Sequence, residues 1–158
     1  MDKTINVKIA GLGGQGVIRA SDILAETAFR AGLDVRKSEL HGMSQRGGSV
    51  SSDVRFGKRV LSPMIPAGES DYLVVVSPDQ VDNNLPALKK DGLLIRPEMI
   101  DEASLTNKKS LNIALLGALS ARLEIPEAVW LETIREAFAP ELYEANEKAF
   151  RLGSSVKG

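Results

Sequence analysis

The sequence predicts an α/β fold, a three-layer α/β/α domain with a mostly parallel sheet and one antiparallel hairpin. Two patterns near the start indicate this class. Ile5, Val7 and Ile9 alternate with polar residues as in a strand, and apolar residues from Val17 onwards then recur at helical spacing until Gly32. A second strand, residues 35–39, completes a strand–helix–strand unit typical of parallel sheets.

The remaining elements follow from the same periodicities. Residues 50–56 alternate as a half-buried strand, and Gly57-Lys58 predicts a turn into residues 59–61, which gives the antiparallel hairpin at residues 56–59. The continuous apolar runs 72–76 and 93–95 predict buried strands. Helices are predicted at residues 81–90, 113–123, from Pro126 onwards and at 140–152. No repeat or linker interrupts the pattern, so residues 1–158 are expected to form a single domain.

Composition excludes several classes of function. The chain has no cysteine and one histidine, so it cannot bind an iron–sulfur cluster through thiolates, form a disulfide or build a multi-histidine metal site, and we predict no metal ligands. The formal net charge of −1 argues against general nucleic-acid binding. No apolar run approaches the roughly 20 residues that cross a bilayer, and no signal peptide is evident, so we expect a soluble cytoplasmic protein without a membrane partner.

Residues 11–16 form a glycine-rich loop with the spacing Gly-x-Gly-x-x-Gly between the first strand and first helix. Glycines let the backbone turn sharply and approach a diphosphate, while a helix N-terminus offers free N–H groups and a favourable dipole. The context favours a Rossmann-like, anion-binding loop over the alternative that these glycines only permit close strand–helix packing. The candidate cofactor-binding residues here are Gly11, Gly13, Gly14, Gln15 and Gly16.

A dinucleotide site also needs an acidic residue about 20 residues further on, near the end of the second strand, to bind the ribose. Glu39 stands near that spacing and is a candidate, although a solvent-exposed acid without a ligand is an equal alternative. The remaining chain is too short for a second nucleotide-binding half and a catalytic domain. NAD-dependent catalysis by this chain alone is therefore excluded.

Residues 41–48 are polar and glycine-rich and predict a loop at the same edge of the sheet as the glycine loop. Ser44, Gln45 and Arg46 are further candidate binding residues; the Arg46 guanidinium suits a phosphate or carboxylate, or equally an acid across a subunit interface. His41 has no visible acid–base partner, so a structural role is favoured over catalysis, and we predict no catalytic residue in this chain.

Three segments together resemble a known family. The glycine loop with its helix is followed by His-Gly-Met-Ser-Gln-Arg-Gly-Gly at residues 41–48 and by Leu-Ser-Pro-Met-Ile-Pro at 61–66, and then by a strand entered through Ser70-Asp71. This order is similar to the small subunits of the indolepyruvate:ferredoxin oxidoreductases and, more distantly, to the γ subunit or domain of pyruvate:ferredoxin oxidoreductases. Asn146, Ala149, Phe150 and Gly153 extend the resemblance to the last helix.

The resemblance implies a subunit of a complex that converts a 2-oxoacid, CoA and oxidised ferredoxin into acyl-CoA, CO2 and reduced ferredoxin. It places thiamine diphosphate and the iron–sulfur clusters in a large, α-type partner subunit, and it associates the small subunit with CoA handling and assembly. The isolated chain would be inactive and could form a homodimer. The alternative is a stand-alone nucleotide- or CoA-binding regulatory module without catalysis of its own.

The sequence departs from the family between Pro97 and Asn112. Residues 100–111 form only a short polar stretch where family members carry a longer insertion with another strand. We therefore expect the last strand of the sheet, and any partner contact made there, to differ from the family.

Overall fold

The structure is a computed structural model that describes residues 3–41 and 48–156. Within these ranges the chain forms five strands and five α-helices, joined in places by single 3-10 turns. The strands are β1 (Ile5–Leu12), β2 (Asp34–His41), β3 (Ser49–Gly57), β4 (Ser70–Val75) and β5 (Leu88–Ile95). The helices are α1 (Val17–Arg30), α2 (Val81–Asn84), α3 (Leu111–Ser120), α4 (Glu127–Ala137) and α5 (Tyr143–Ser154).

The five strands form one mixed sheet in the order β2-β3-β1-β4-β5. β4 pairs in parallel with β1 and with β5, whereas β3 pairs antiparallel with both β1 and β2. Four described strands therefore run in one direction and β3 runs against them. The α/β class is confirmed, but the sheet is less parallel in its pairing than predicted, because β3 separates the two strands of the expected strand–helix–strand unit.

The two faces of the sheet are covered unequally. Val74 and Val76 of the β4 region contribute to the main core with the long helices, whereas Leu73 and Val75 alternate to the opposite face and pack against Val81 at the start of α2. One face thus carries α1, α3, α4 and α5, and the other carries the single-turn helix α2 with its flanking 3-10 turns. The third predicted layer is present but thin.

Two glycines bring α3 and α5 into backbone contact. A Cβ built on Gly117 would lie 2.0 Å from Phe150 O, and one built on Gly153 would lie 1.7 Å from Ala114 O. Phe150 is buried and its ring centroid lies 5.5 Å from that of the buried Trp130 of α4. The last three helices are therefore packed as one layer over the sheet.

The predicted hairpin at residues 56–59 is wrong in its second arm. β3 ends at Gly57, and residues 58–69 cross the sheet without pairing as a strand. Side chains, and not a neighbouring strand, form hydrogen bonds with the backbone of this segment. Asp34 accepts from Val60 N–H at 2.8 Å, and Arg55 donates to Ser62 O at 3.0 Å. The antiparallel hairpin of this fold is instead formed by β2 and β3.

The predicted helix at 81–90 is shorter than expected. α2 ends at Asn84, a 3-10 turn spans Leu85–Ala87, and β5 already begins at Leu88. Pro86 prevents a continuous helix because it lacks a backbone N–H. Across the described ranges, no helix combines the length and apolar character needed to span a membrane.

Candidate functional site

The glycine loop connects β1 to α1 in a turn fixed by its own side chain. Gln15 Oε1 accepts a hydrogen bond from Leu12 N–H at 2.7 Å, and Gln15 N–H donates to Leu12 O at 3.2 Å. Gln15, predicted as a binding residue, thus has a role within the turn. Its side chain holds the loop in this conformation without a bound ligand.

The glycines of the loop divide between the two alternatives that the sequence left open. A Cβ on Gly11 would lie 2.8 Å from Gln15 Oε1 and 3.3 Å from Val76 Cβ, so Gly11 permits close packing against the neighbouring strand. Gly14 has a φ of +89°, and nothing lies within 4 Å of the position its Cβ would take. Gly14 therefore presents open backbone to the surroundings, as close approach by a ligand requires.

Asn112, at the start of α3, holds the end of the loop and was not among the predicted site residues. Its Nδ2 donates to Gly16 O at 3.0 Å, and its Oδ1 accepts from Ile113 N–H at 2.9 Å. Gly16 has a φ of +78°, and a Cβ there would lie 2.4 Å from Asn112 Nδ2. A polar residue heading an otherwise apolar, buried helix was the one signal in the sequence that could have identified it.

The first turn of α1 is left open to an anion. No side chain caps the helix and its first turn contains no acidic residue. The first N–H groups of any helix lack intrahelical acceptors, and with the dipole they favour a negative charge. Gly13 N–H is used elsewhere, since it donates to Gly48 O at 2.9 Å. Gln15 N–H is also used, since it donates to Leu12 O, so the open donors in the described chain are those of Gly14 and of the first turn of α1.

Two cavities lie on either side of the glycine loop and share Gly14, Gly16 and Arg19. The first, of about 300 Å³, lies towards the ends of β2 and β3, and we call it the strand-side cavity. The second, of about 700 Å³, lies towards α3, and we call it the α3-side cavity. None of the described residues that line either cavity is acidic. The strand-side cavity is lined by Leu12, Gly13, Gly14, Gly16, Val17, Ile18, Arg19, His41, Gly48, Ser49 and Val50. The α3-side cavity is lined by Gly14, Gln15, Gly16, Arg19, Val76, Lys108, Lys109, Leu111, Asn112, Phe138 and Asn146.

Glu39 is not brought to the glycine loop. It lies on β2, which β3 separates from β1, and it lines neither cavity next to the loop. Its carboxylate pairs with Lys37 and lies 3.8 Å from His41 Nε2. The hydrogen bond from Lys37 lowers the pKa of Glu39. Burial alone would lower the pKa of Lys37, but its hydrogen bonds to Asp22 and Glu39 outweigh burial and raise it.

The other predicted residues separate into those near the loop and those that the structure does not describe. His41 ends β2 and lines the strand-side cavity, with 62% of its side chain exposed. Ser44, Gln45 and Arg46 lie outside the described residues, so their predicted part in binding stays a prediction. In the ranges that are described, no cluster of three or more His, Asp or Glu side chains could hold a metal ion.

Comparisons with known proteins agree on one family. A model of the pyruvate ferredoxin/flavodoxin oxidoreductase family matches residues 6–102. The indolepyruvate oxidoreductase subunit IorB of Thermococcus kodakarensis is 32% identical over 191 aligned residues, which cover 96% of this chain and 95% of the relative. The common γ subunit of the pyruvate/ketoisovalerate oxidoreductases of Pyrococcus abyssi is 28% identical, over 93% of this chain and 94% of that subunit.

The fold is shared with a solved structure. The γ subunit of a keto/oxoacid ferredoxin oxidoreductase from Geobacter sulfurreducens superposes with a TM-score of 0.80 at 24% identity, over 94% of this chain and 95% of that one. The Thermococcus alignment has 191 positions although this chain has 158 residues, so the relative carries additional residues within it. That agrees with the expected shortening, whose place at residues 100–111 stays a prediction. Here this stretch contains two 3-10 turns, Glu102–Ser104 and Lys108–Ser110.

Proposed function

Because this chain belongs to the pyruvate ferredoxin/flavodoxin oxidoreductase family, we propose that its glycine loop binds CoA within a thiamine-dependent, indolepyruvate-type 2-oxoacid:ferredoxin oxidoreductase. The chain is a homologue of the small subunits of these enzymes along nearly its whole length. It has no cysteine to hold an iron–sulfur cluster. Thiamine diphosphate, the clusters and the contact with ferredoxin are therefore assigned to a large α-type partner subunit, in a cytoplasmic complex.

The open backbone at Gly14 is the observation that carries this proposal. A diphosphate carries negative charge, which the backbone N–H donors at the glycine loop and the dipole of α1 favour. None of the described residues that line the two neighbouring cavities is acidic, so none would repel it. Gln15 and Asn112 hold the turn in place before any ligand arrives. Binding then costs little reorganisation, which favours affinity.

Replacing Gly14 by valine tests the proposal. The side chain would occupy the open space over the loop and block close approach of a diphosphate, so we expect CoA affinity to fall by at least about tenfold, or about 1.4 kcal/mol. Isothermal titration calorimetry with CoA on the assembled complex measures this. Gly32→Val is the matched control, since Gly32 has the same φ of +89° and the same open surroundings at the opposite end of α1.

The control separates backbone strain from loss of the binding surface. Both valines impose the strain of a positive φ, but only the one at residue 14 lies within the glycine loop. Unchanged CoA affinity in Gly14→Val would place the CoA site elsewhere in the complex. Equal losses in both variants would attribute the effect to strain.

Arg46 is proposed as a second contact with the phosphates, on sequence grounds. If its guanidinium makes a charged hydrogen bond to phosphate, Arg46→Ala should weaken CoA binding by about 1.5–3 kcal/mol. Calorimetry on the same complex measures the difference. A change confined to subunit affinity would instead assign Arg46 to the interface.

Assembly is proposed to involve residues 41–48. Polar, glycine-rich loops contribute little to their own core and are stabilised mainly by what they contact, and Met43 offers an adaptable apolar contact. We expect the amide hydrogens of residues 41–48 to exchange more slowly once the large subunit binds. Full protection in the isolated chain, as a monomer or a homodimer, would instead make the segment part of the subunit's own structure.

A further inference from the structure

The α3-side cavity contains positively charged side chains that a single diphosphate on the glycine loop does not account for. It is the larger of the two cavities next to the loop, at about 700 Å³, and its described lining includes three cationic side chains and no acidic one. The chain as a whole is balanced, with 20 Lys and Arg against 21 Asp and Glu. The lining of the cavity is therefore more positively charged than the chain as a whole.

Two of the cations are lysines on a fixed turn. Lys108 and Lys109 belong to the 3-10 turn that precedes α3, where Asn107 Oδ1 accepts from Lys109 N–H at 2.9 Å and Asn107 O accepts from Ser110 N–H at 2.9 Å. In the described part of the structure neither lysine forms an ion pair. Lysines elsewhere do so: Lys37 lies 2.7 Å from Asp22.

The third cation is Arg19, in the first turn of α1. Its guanidinium donates to Ala137 O at 2.5 Å and lies 5.2 Å from the centre of the Phe138 ring, which together hold it at the mouth of the cavity. Among the described residues no carboxylate forms an ion pair with it. Arg19 therefore offers a positive charge between the glycine loop and the lysine turn.

One further polar side chain lines the cavity. Asn146 of α5 is only 5% exposed yet lines the cavity. Its Nδ2 donates to Leu142 O at 3.0 Å, whereas no described residue donates to its Oδ1. This oxygen can therefore accept a hydrogen bond from an N–H group of a bound molecule.

We propose that the α3-side cavity binds a second phosphate group of the same ligand, a phosphomonoester held by Lys108 and Lys109. This rests on the proposed function, in which the diphosphate of that ligand lies on the glycine loop. A phosphomonoester carries nearly two negative charges near neutral pH, and adjacent ammonium groups without acidic partners suit it. The ligand class is thus a nucleotide with a diphosphate and a separate phosphomonoester, such as CoA, rather than one with a diphosphate alone.

The two lysines allow a direct test with CoA and dephospho-CoA, which differ only in that phosphomonoester. In calorimetric titrations of the assembled complex we expect the wild type to bind CoA at least about tenfold more tightly than dephospho-CoA. In the double variant Lys108→Gln/Lys109→Gln, affinity for CoA should fall to that for dephospho-CoA, while affinity for dephospho-CoA stays unchanged. The variant Lys89→Gln/Lys90→Gln removes the same charge from β5, away from the cavity, and should keep the discrimination.

The outcomes separate the two proposals. If wild type binds both ligands equally, or if the double variant keeps its preference for CoA, the phosphomonoester site is wrong while the glycine loop proposal stands. If wild type binds neither ligand, the proposed function fails together with the site. Both lysines are exposed, so thermal unfolding of the double variant should match wild type and show that its fold is intact.

Discussion

Replacing Asn112 by alanine should detach the glycine loop from α3 and destabilise the chain. The loss of the hydrogen bond to Gly16 O costs about 0.5–1.5 kcal/mol, because that oxygen keeps its bond from Ala20 N–H at 2.9 Å. The buried Ile113 N–H also loses its acceptor in the side chain, which costs about 1–3 kcal/mol. Together these give about 1.5–4.5 kcal/mol, or roughly 3–18 °C in Tm for a chain of this size.

Urea and thermal unfolding of the full chain measure this loss. Asn112→Asp refines the test, since a carboxylate still accepts from Ile113 N–H but faces Gly16 O with an acceptor in place of a donor. We expect its stability to lie between those of wild type and the alanine variant, with faster amide exchange at residues 13–17 in both variants. Asn84→Ala is the control, since Asn84 makes one local hydrogen bond, to Gln80 O at 2.7 Å, and should cost less than about 1.5 kcal/mol. An alanine variant at residue 112 within about 0.5 kcal/mol of wild type would refute the anchoring role.

Three further predictions concern packing, pH and activity. Gly153→Ala would place a methyl group 1.7 Å from Ala114 O, so we expect a loss of about 3 kcal/mol or more in urea unfolding, and a wild-type midpoint would contradict the close contact of α3 and α5. The hydrogen bond from Arg30 lowers the pKa of Glu136, so its stabilisation is present above about pH 4.5 and is lost as pH falls through the lowered pKa. Glu136→Gln should therefore flatten the pH dependence of the free energy of unfolding in that range, and an unchanged pH profile would contradict the role of this ion pair. The isolated chain should show no 2-oxoacid oxidation with a viologen acceptor, and measurable turnover would contradict its assignment as a dependent subunit.

Local periodicity was enough to predict most elements but not their arrangement. Strands such as β1 and β4 and helices such as α1 and α4 were predictable because the spacing of apolar residues reports directly on which face is buried. Strand order depends on pairings between distant segments, so nothing within residues 5–39 indicated that β3 would lie between β1 and β2. The expected second arm at residues 59–61 was wrong for a related reason, since side chains of Asp34 and Arg55 bond the backbone of residues 60 and 62.

The candidate site shows the same division. The glycine loop was predictable because its motif, strand and helix are contiguous in the chain. Glu39 satisfied a spacing rule that assumes neighbouring strands, and the inserted β3 removes that assumption. Asn112 and the turn that carries Lys108 and Lys109 are brought near the loop only by the fold. Asn112 and Gly16, for example, are 96 positions apart in the sequence.

The single backbone hydrogen bond from Gly13 N–H to Gly48 O joins the glycine loop to the far end of the 41–48 segment. A shift of Gly48 would also move a donor at the edge of the proposed anion site. If the partner subunit changes the affinity of the loop for its anion by some factor, thermodynamic linkage requires the anion to change the affinity of the partner by the same factor. If both proposals hold, this bond couples CoA binding to subunit assembly, and the affinity between the subunits should vary with CoA concentration.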